Sequence, residues 1–272
     1  MTLDLDAQDR AGHGELRVRA VVKRVRALHG GETVADSTSA RLVCEPRRVV
    51  ASYAVPESDV RAELVPHDGE PGGSDRPVLD PRVPFTVHTA PGEALSVRLG
   101  DGTLAEGAAF RLTDPEVAGL IVLDFGAFDW LDEDEPLVSH PRDPCHRIDV
   151  CRSSRTVRIE RDGGLLAESS RAMWLFEGTF GWVRHYLPRE DVAVPLVIDD
   201  SRPTFCAYKG RATYWSVPGD DPVLHRIAWS YEEPLHDAEQ VRGLVCFFTE
   251  RLDLSIDGTP VPRMWTPWAE PD

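Results

Sequence analysis

The sequence predicts a mainly β protein made of two tandem domains of antiparallel sheets with few short helices. Three observations lead to this prediction. Short segments rich in aromatic and β-branched residues recur along the chain, and such residues favour strands. Residues 162–164, Asp-Gly-Gly, have the chemistry of a tight turn between antiparallel strands. One long pattern also occurs twice, which predicts two copies of one domain.

The repeated pattern begins at Val25 and again at Val157. Residues 25–60 align without gaps on residues 157–192, an offset of 132 positions, and residues 112–125 resemble residues 235–248. We interpret the repeat as a tandem duplication, with domains at 14–138 and 146–260. The identical pairs include Gly31 with Gly163, Ala35 with Ala167, Ser37 with Ser169, Ala40 with Ala172, Glu45 with Glu177, Pro56 with Pro188 and Asp59 with Asp191.

The elements of the second copy follow in order. TVRIERDG (156–163) and LLAESSRAMWLFE (165–177) are two predicted strands on either side of the Asp-Gly-Gly turn. Only DAEQVRGL (237–244) resembles a short helix, with Asp237 as its N-cap. Further strands are predicted in GWVRHYL (181–187), ATYWSV (212–217), HRIAWSY (225–231) and RLDLSID (251–257).

Three segments are predicted to lie outside the two cores. Residues 131–145 are rich in acidic residues and proline and have no hydrophobic periodicity, which indicates a linker. Residues 64–82 form a Gly/Pro-rich loop, and residues 261–272 are a tail.

Composition excludes several classes of function. The formal net charge of −16 and the pI near 5.0 argue against a nucleic-acid partner, which would require clustered cations. No apolar run is long enough to span a bilayer, and the first residues are acidic where a signal peptide is basic, so we expect a cytoplasmic protein without a membrane partner. The five cysteines are an odd number without CxxC spacing, which favours reduced thiols.

The two copies differ in one segment. Residues 204–215, TFCAYKGRATYW, align by eye on residues 86–97, TVHTAPGEALSV, with Thr, Gly and Ala kept at 86/204, 92/210 and 94/212. A residue needed only for folding is expected in both copies, so we assign the functional site to the second copy and a supporting role to the first. The replaced residues are Cys206 for His88, Tyr208 for Ala90, Lys209 for Pro91, Tyr214 for Ser96 and Trp215 for Val97.

Lys209 is the first candidate, because the chain contains only one other lysine, Lys23. It could hold an anionic group as a point charge, or act as a nucleophilic amine if an apolar wall lowered its pKa. Cys206 could be a thiolate activated by that ammonium, or a small buried hydrophobe. In an enzyme, Glu177 or Asp191 would assist Lys209 or Cys206.

Aromatic residues are the second set of candidates. They could wall a pocket for a planar or cationic ligand, although most aromatic residues of a β protein lie in the core. The candidates for ligand binding are Tyr208, Tyr214, Trp215, Trp229, Tyr231 and Trp182.

Four segments resemble the signature segments of the bacterial domain-of-unknown-function family 427 (DUF427). They are HYLPREDV (185–192), TFCAYKGRATYW (204–215), IAWSYEEPL (227–235) and GLVCFFTERLDLSIDG (243–258). The resemblance spans residues 146–258, and the first half resembles a degenerate copy. It implies a β-tent-like fold of two antiparallel sheets, similar to methionine sulfoxide reductase B and to the drug-binding domain of cereblon, but it implies no established activity. The usual Cys-Pro-Tyr-Lys-Gly reads Cys-Ala-Tyr-Lys-Gly here, with Ala207 in place of proline.

Other motifs are weaker. Many β-tents hold zinc with two CxxC pairs, which this sequence lacks, so no metal and no cofactor are expected. The cluster His140, Cys145, His146 and Cys151 lacks paired spacing, and the other histidines considered (185, 225 and 236) are interpreted as surface or packed residues. Residues 198–201, Ile-Asp-Asp-Ser, are the only carboxylate pair that would suit a nucleotidyltransferase-like activity.

We therefore expect a small-molecule-binding protein whose pocket in the second domain has aromatic walls and Lys209 as its polar anchor. Two alternatives stay open at this point: an enzyme that uses Lys209 or Cys206 as its reactive group, and an interaction scaffold that uses the tail residues Trp265 and Trp268. The sequence fixes no oligomeric state.

Overall fold

The structure is a computed structural model of the chain, and it describes residues 13–69, 72–145, 147–178, 182–266 and 268–269. The chain divides into two compact units, Met1–Asp143 and Pro144–Asp272. Both are mainly β, as the sequence predicts, and their strands pair almost entirely in antiparallel sheets.

The first unit contains eleven strands and two 3₁₀ helices in its described residues. The helices are Glu57–Asp59 and Phe125–Ala127. The strands are β1 (Arg17–Ala20), β2 (Val25–His29), β3 (Glu32–Ser37), β4 (Arg41–Cys44), β5 (Ser52–Pro56), β6 (Glu63–Pro66), β7 (Gly92–Arg98), β8 (Leu104–Leu112), β9 (Leu120–Leu123), β10 (Asp129–Asp132) and β11 (Glu135–Pro136).

The second unit contains twelve strands and three 3₁₀ helices in its described residues. The helices are Arg189–Asp191, Pro222–Leu224 and His236–Val241. The strands are β12 (Ile148–Arg152), β13 (Val157–Arg161), β14 (Gly164–Ser169), β15 (Met173–Glu177), β16 (Trp182–Leu187), β17 (Val197–Ile198), β18 (Thr204–Cys206), β19 (Gly210–Ser216), β20 (Ala228–Ser230), β21 (Val245–Phe247), β22 (Asp253–Ile256) and β23 (Thr259–Val261).

Each unit has one large and one small antiparallel sheet, and the strand orders correspond. The large sheets run β1-β4-β5-β9-β8-β7-β6 and β12-β15-β16-β21-β20-β19-β17, with β18 as an additional partner of β19. The small sheets run β11-β10-β2-β3 and β23-β22-β13-β14. The register of β2 with β3 shifts after Ala27, and that of β13 with β14 shifts after Ile159, 132 positions later. The two units therefore share one topology.

The predicted turn between β13 and β14 is confirmed. Asp162 and Gly163 have φ angles of 51° and 80°, a left-handed conformation that aspartate tolerates and glycine adopts without strain. The corresponding turn of the first unit places Gly30 and Gly31 at 56° and 85°. Both turns therefore return the chain into a small sheet.

Each unit has its own hydrophobic core. In the first unit, one cluster joins the small sheet to one face of the large sheet, and a second cluster around Phe110 and Val122 lies on the opposite face. In the second unit, one continuous cluster includes residues of both faces, among them Leu175, Tyr186 and Phe247. The second unit therefore buries more of its large sheet in a single core.

Two predictions about elements are corrected. The predicted helix 237–244 is a 3₁₀ helix that begins at His236 after Leu235, and no side chain caps it. Asp237 instead accepts hydrogen bonds from Arg147, because its position lies inside the first turn. The predicted linker 131–145 begins too early, since residues up to 136 pair within the small sheet as β10 and β11.

None of the helices among the described residues has the length and apolar character needed to cross a membrane.

Candidate functional site

Four side chains form a lateral row across the large sheet of the second unit. Tyr186 lies opposite Cys246, Cys246 opposite Trp229, and Trp229 opposite Tyr214. Directly opposed residues of neighbouring strands point to the same face, so these four side chains, here called the aromatic row, share one surface of the sheet. In the first unit, the directly opposed residues of the corresponding strands are Ala54, Val122, Phe110 and Ala94. The second unit thus carries larger and more polar side chains on this face.

This register corrects the alignment of the differing segment. Tyr214 corresponds to Ala94, an offset of 120 positions, whereas the sequence comparison placed Tyr214 on Ser96. The sequence comparison is therefore displaced by two residues, a shift that keeps each residue on the same face of its strand. Lys209 is therefore not the counterpart of Pro91.

Lys209 is buried in an ion pair. Its Nζ donates to Oε1 of Glu177 at 2.7 Å, and its side chain is 7% exposed, whereas that of Glu177 is 25% exposed. Glu177 ends β15, and Lys209 lies in the turn between β18 and β19. Gly210 closes this turn with a φ of 94°, and the amide of Leu235 donates to the Lys209 carbonyl at 3.1 Å. Local turn chemistry therefore points the ammonium inward.

The ion pair fixes the charge of Lys209. Burial alone would lower the pKa of Lys209, but the Glu177 carboxylate outweighs burial, and the pKa lies above its ordinary value. Lys209 is thus an ammonium at neutral pH. The expectation that an apolar wall lowers its pKa is wrong, because the wall also contains a carboxylate. A nucleophilic amine would need the opposite shift.

Neutral groups surround this pair. Burial raises the pKa of both Tyr186 and Tyr231, so both phenols are neutral. Their ring centroids are 6.5 Å apart, and Nε1 of Trp229 donates to the Tyr186 hydroxyl at 3.1 Å. Burial also raises the pKa of the Cys246 thiol. The pair therefore faces a wall of neutral phenols and a thiol.

Cys206 lies near the lysine, as a turn at 208–210 would allow. It ends β18 opposite Gly210, is half-buried and interacts electrostatically with Lys209. We call Glu177, Lys209, Cys206, Tyr186 and Tyr231 the Lys209 cluster.

Asp191 has other partners. It accepts hydrogen bonds from Ser169 Oγ and from Arg171, each at 2.6 Å, and these bonds hold its pKa below the ordinary value. They tie the 3₁₀ helix 189–191 to the connection between β14 and β15. No contact among the described residues brings Asp191 to Lys209, so the structure gives Asp191 a structural role.

The predicted pocket aromatics are mostly buried. Trp215, Trp229 and Tyr231 belong to the core of the second unit, and Tyr208 is 8% exposed. Trp215 is adjacent to Tyr214 in β19, so it points to the opposite face of the sheet, where its Nε1 donates to Ser230 at 2.8 Å. Trp215 therefore does not join the aromatic row.

Tyr214 is the most accessible of the six predicted aromatic residues. Its hydroxyl is 2.8 Å from Thr204 Oγ1, and the Arg226 guanidinium lies 4.0 Å from its ring centroid. Trp182 packs edge-on against Trp268 at 5.7 Å, which holds part of the predicted tail. The other tail tryptophan, Trp265, is 61% exposed.

A buried ion pair that was not predicted from the sequence lies beside the aromatic row, on the same face of the sheet. Arg184 donates to Glu250 at 2.9 Å, and Thr266 donates to the same carboxylate at 2.6 Å. The Arg184 guanidinium also lies 5.5 Å and 5.3 Å from the rings of Trp182 and Trp229. A charged residue at an inward position of a strand pattern was the signal that could have revealed it.

Two surface depressions of the second unit are lined by residues other than those of the Lys209 cluster. One, of about 480 Å³, is lined by residues 197–201, 216–219 and 225, and the other, of about 570 Å³, by residues 152–154, 170, 171, 173 and 244. The first contains the predicted carboxylate pair. There Asp199 accepts from Ser201 Oγ at 2.6 Å, and Asp200 lies 3.5 Å from Arg211.

Within the described part of the chain, no three or more potential metal ligands come together. His146, one member of the weak zinc motif, lies outside that part.

Residues 149–258 match the family described as "Domain of unknown function (DUF427)". The match runs from β12 to β22 and includes the whole Lys209 cluster. It does not extend into the first unit. No curated protein matches the chain.

Proposed function

We propose that the second unit, whose residues 149–258 match the DUF427 family, binds a small molecule at the Lys209 cluster. The observation that carries the proposal is the buried ammonium. Among the described residues, Lys209 Nζ donates a hydrogen bond to Glu177 alone, although an ammonium has three donors. Buried donors are normally satisfied, so the remaining donors favour an acceptor group on a ligand.

The pair also limits the chemistry of the ligand. Lys209 offers the ammonium donors that do not bond to Glu177. A complementary molecule presents an acceptor or an anionic group toward Lys209. The neutral ring of Tyr231, which is 5% exposed, favours a molecule with a planar part, because rings stack and pack edge to face.

Binding is favoured over covalent catalysis by this charge state. A lysine that forms a covalent intermediate must lose its proton, and the Glu177 carboxylate stabilises the protonated form. The charge of Lys209 is therefore suited to holding a ligand.

A thermal-stability screen with small polar and planar molecules tests the proposal. We expect a ligand that raises the Tm of the protein, little effect of the same ligand on Lys209→Ala, and a partial effect on Lys209→Arg, which keeps the charge. Lys23→Ala is the matched control, because Lys23 is the other lysine and pairs with Asp132 at 2.6 Å in the first unit. A ligand that stabilises Lys209→Ala as much as the original protein contradicts the proposal.

Native mass spectrometry of the purified protein is a second way to identify the ligand.

We also propose that the first unit is a degenerate copy that arose by tandem duplication. The shared strand order and the offset of 132 positions that relates β2 and β3 to β13 and β14 support this origin. The lack of CxxC pairs and the acidic composition support a cytoplasmic protein that binds neither nucleic acid nor membrane.

A further inference from the structure

The larger depression of the second unit has an unusual lining for so acidic a protein. Two arginines, Arg152 and Arg171, and three serines, at 153, 154 and 170, surround it, while Met173 and Leu244 supply its apolar side chains. The net charge of the chain is −16. The two arginines therefore make this depression locally positive on a chain whose net charge is negative.

Two loops build this depression. The connection after β12 carries Ser153 and Ser154, and the connection after β14 carries Ser170 and Arg171. The Ser153 amide donates to the Ala172 carbonyl at 3.0 Å, which holds the loops side by side. Arg152 lies directly opposite Met173 across β12 and β15, so their side chains share one face of the sheet.

Arg152 has no ion pair or hydrogen bond with any residue that the structure describes, so its charge is uncompensated. Arg171 donates through Nη2 to Asp191 at 2.6 Å and to Glu190 at 3.2 Å, which partly neutralises it. No described residue accepts from its Nη1 or Nε. One full positive charge and a second guanidinium with unused donors therefore remain for an incoming anion.

The first unit shows that the topology does not require this lining. At the offset of 132 positions, Ala20 takes the place of Arg152, Val21 and Val22 those of Ser153 and Ser154, and Ser39 that of Arg171. A lining needed only for folding would be expected in both units. At the same offset, Thr38 takes the place of Ser170 and Arg41 that of Met173, so the features specific to the second unit are Arg152, Arg171 and the hydroxyls of Ser153 and Ser154.

We propose that this depression binds a phosphate-bearing small molecule, with Arg152 and Arg171 as the charged donors and the serine hydroxyls as neutral donors. The planar guanidinium fork matches phosphate oxygens in pairs, and hydroxyls complete such sites. Met173 and Leu244 then contact an apolar part of the same molecule. The depression shares no lining residue with the Lys209 cluster, although Met173 lies directly opposite Tyr186 across β15 and β16. The proposal therefore does not depend on the function proposed for that cluster.

Titration of the ¹⁵N-labelled full chain with phenyl phosphate tests this site. We expect amide shift changes at residues 153, 154, 170 and 171, and weaker binding of inorganic phosphate, which lacks the apolar part. Arg152→Gln should raise the Kd for phenyl phosphate about tenfold, which corresponds to about 1.4 kcal/mol. The fold should be unchanged, because the Arg152 side chain bonds to no described residue.

Arg202→Gln is the matched control, because Arg202 is exposed, lies outside the depression, and its side chain bonds to no described residue. It should leave the Kd unchanged, and so should Lys209→Ala, which separates this site from the Lys209 cluster. Equal effects of Arg152→Gln and Arg202→Gln would show a non-specific charge effect and overturn the proposal. Amide shifts that map to Lys209 and Tyr231 in place of the two loops would also overturn it.

Discussion

Glu177 and its counterpart Glu45 show how one residue meets different partners in each unit. Glu177 binds the ammonium of Lys209, whereas Glu45 lies 2.8 Å from Nδ1 of His88 and accepts from the backbone amides of Thr89 and Ala90. Burial alone would raise the pKa of Glu45, but these hydrogen bonds outweigh burial and lower it. A buried carboxylate needs such partners, so both units have a glutamate at this position although its side-chain partner differs.

The two halves of the Lys209–Glu177 pair should differ in their contribution to stability. Glu177→Gln leaves a 7% exposed ammonium without a charged partner, whereas Lys209→Met leaves a 25% exposed carboxylate that water can solvate. We expect Glu177→Gln to cost about 2–4 kcal/mol and Lys209→Met about 1 kcal/mol less. Urea unfolding at pH 7 measures both. The double variant should recover part of the loss, and a larger cost for Lys209→Met would contradict the buried-charge explanation.

His185 should make stability depend on pH. Burial, followed by the charges of Arg184 and Arg155, lowers its pKa to about 4 from 6.5, and its Nδ1 has no hydrogen-bond partner among the described residues. The unfolded chain therefore binds a proton at His185 at a higher pH than the folded chain does. The contribution of neutral His185 to the stability of the folded chain is therefore complete above pH 6.5 and is lost as the pH falls toward 4.

When the pH falls from 7 to 5, His185 should lower the free energy of unfolding by about 2 kcal/mol. Urea unfolding at the two pH values measures the difference, and His185→Phe should reduce it. His225→Phe is the comparison, because His225 is not in the buried core. An unchanged pH dependence in His185→Phe would rule out this histidine as the source.

At the scale of the elements, local chemistry explains what the sequence could predict. The Asp162–Gly163 turn carries its own conformational preference, and the strands around it alternate in hydrophobicity, so both were predictable from residues close in sequence. The match of Tyr214 to Ala94 was not predictable in that way. It depends on hydrogen bonds through three neighbouring strands, which no local pattern reports.

The same limit applies to the site. The sequence identified Lys209 and Cys206 correctly as neighbours, because four residues and one turn connect them. It assigned Asp191 to the same site, although Asp191 bonds to Ser169 and Arg171. Membership of the core also depends on strand order, so sequence alone could not separate pocket aromatics from core aromatics.

The turn before β19 should be sensitive to substitution. Gly210 has a φ of 94°, and a Cβ there would lie 3.4 Å from the Glu233 carbonyl oxygen and the Leu235 amide nitrogen. We expect Gly210→Ala to cost about 1–2 kcal/mol and to change the amide signals around Lys209. Thermal unfolding and two-dimensional NMR measure the two effects.

Gly163→Ala is the control for that variant, because Gly163 has a φ of 80° but no atom near its hypothetical Cβ. Gly163→Ala should lower the stability because alanine is strained at a positive φ, but it should leave the amide signals around Lys209 unchanged. If Gly210→Ala is no more disruptive than Gly163→Ala, the turn does not position Lys209.

At the scale of the whole molecule, each unit has its own core, so the chain should unfold in two steps. Trp130 is the only one of the seven tryptophans that lies in the first unit, so fluorescence reports mainly on the second. Leu175→Ala should destabilise the second unit by about 2–5 kcal/mol and shift the fluorescence transition. Ile121→Ala should shift the circular-dichroism transition and leave most of the fluorescence change in place. A single coincident transition in both variants would contradict independent cores.

The scarcity of lysine has a practical consequence for chemistry done on this protein. Lys209 is locked in its ion pair with a side chain that is 7% exposed, and Lys23 keeps 27% of its side chain exposed beside Asp132. Amine-directed ester reagents react with accessible, deprotonated amines, so Lys23 is the side chain that they should modify. A dye or a surface attached in this way would be on the first unit and would leave the second unit unmodified.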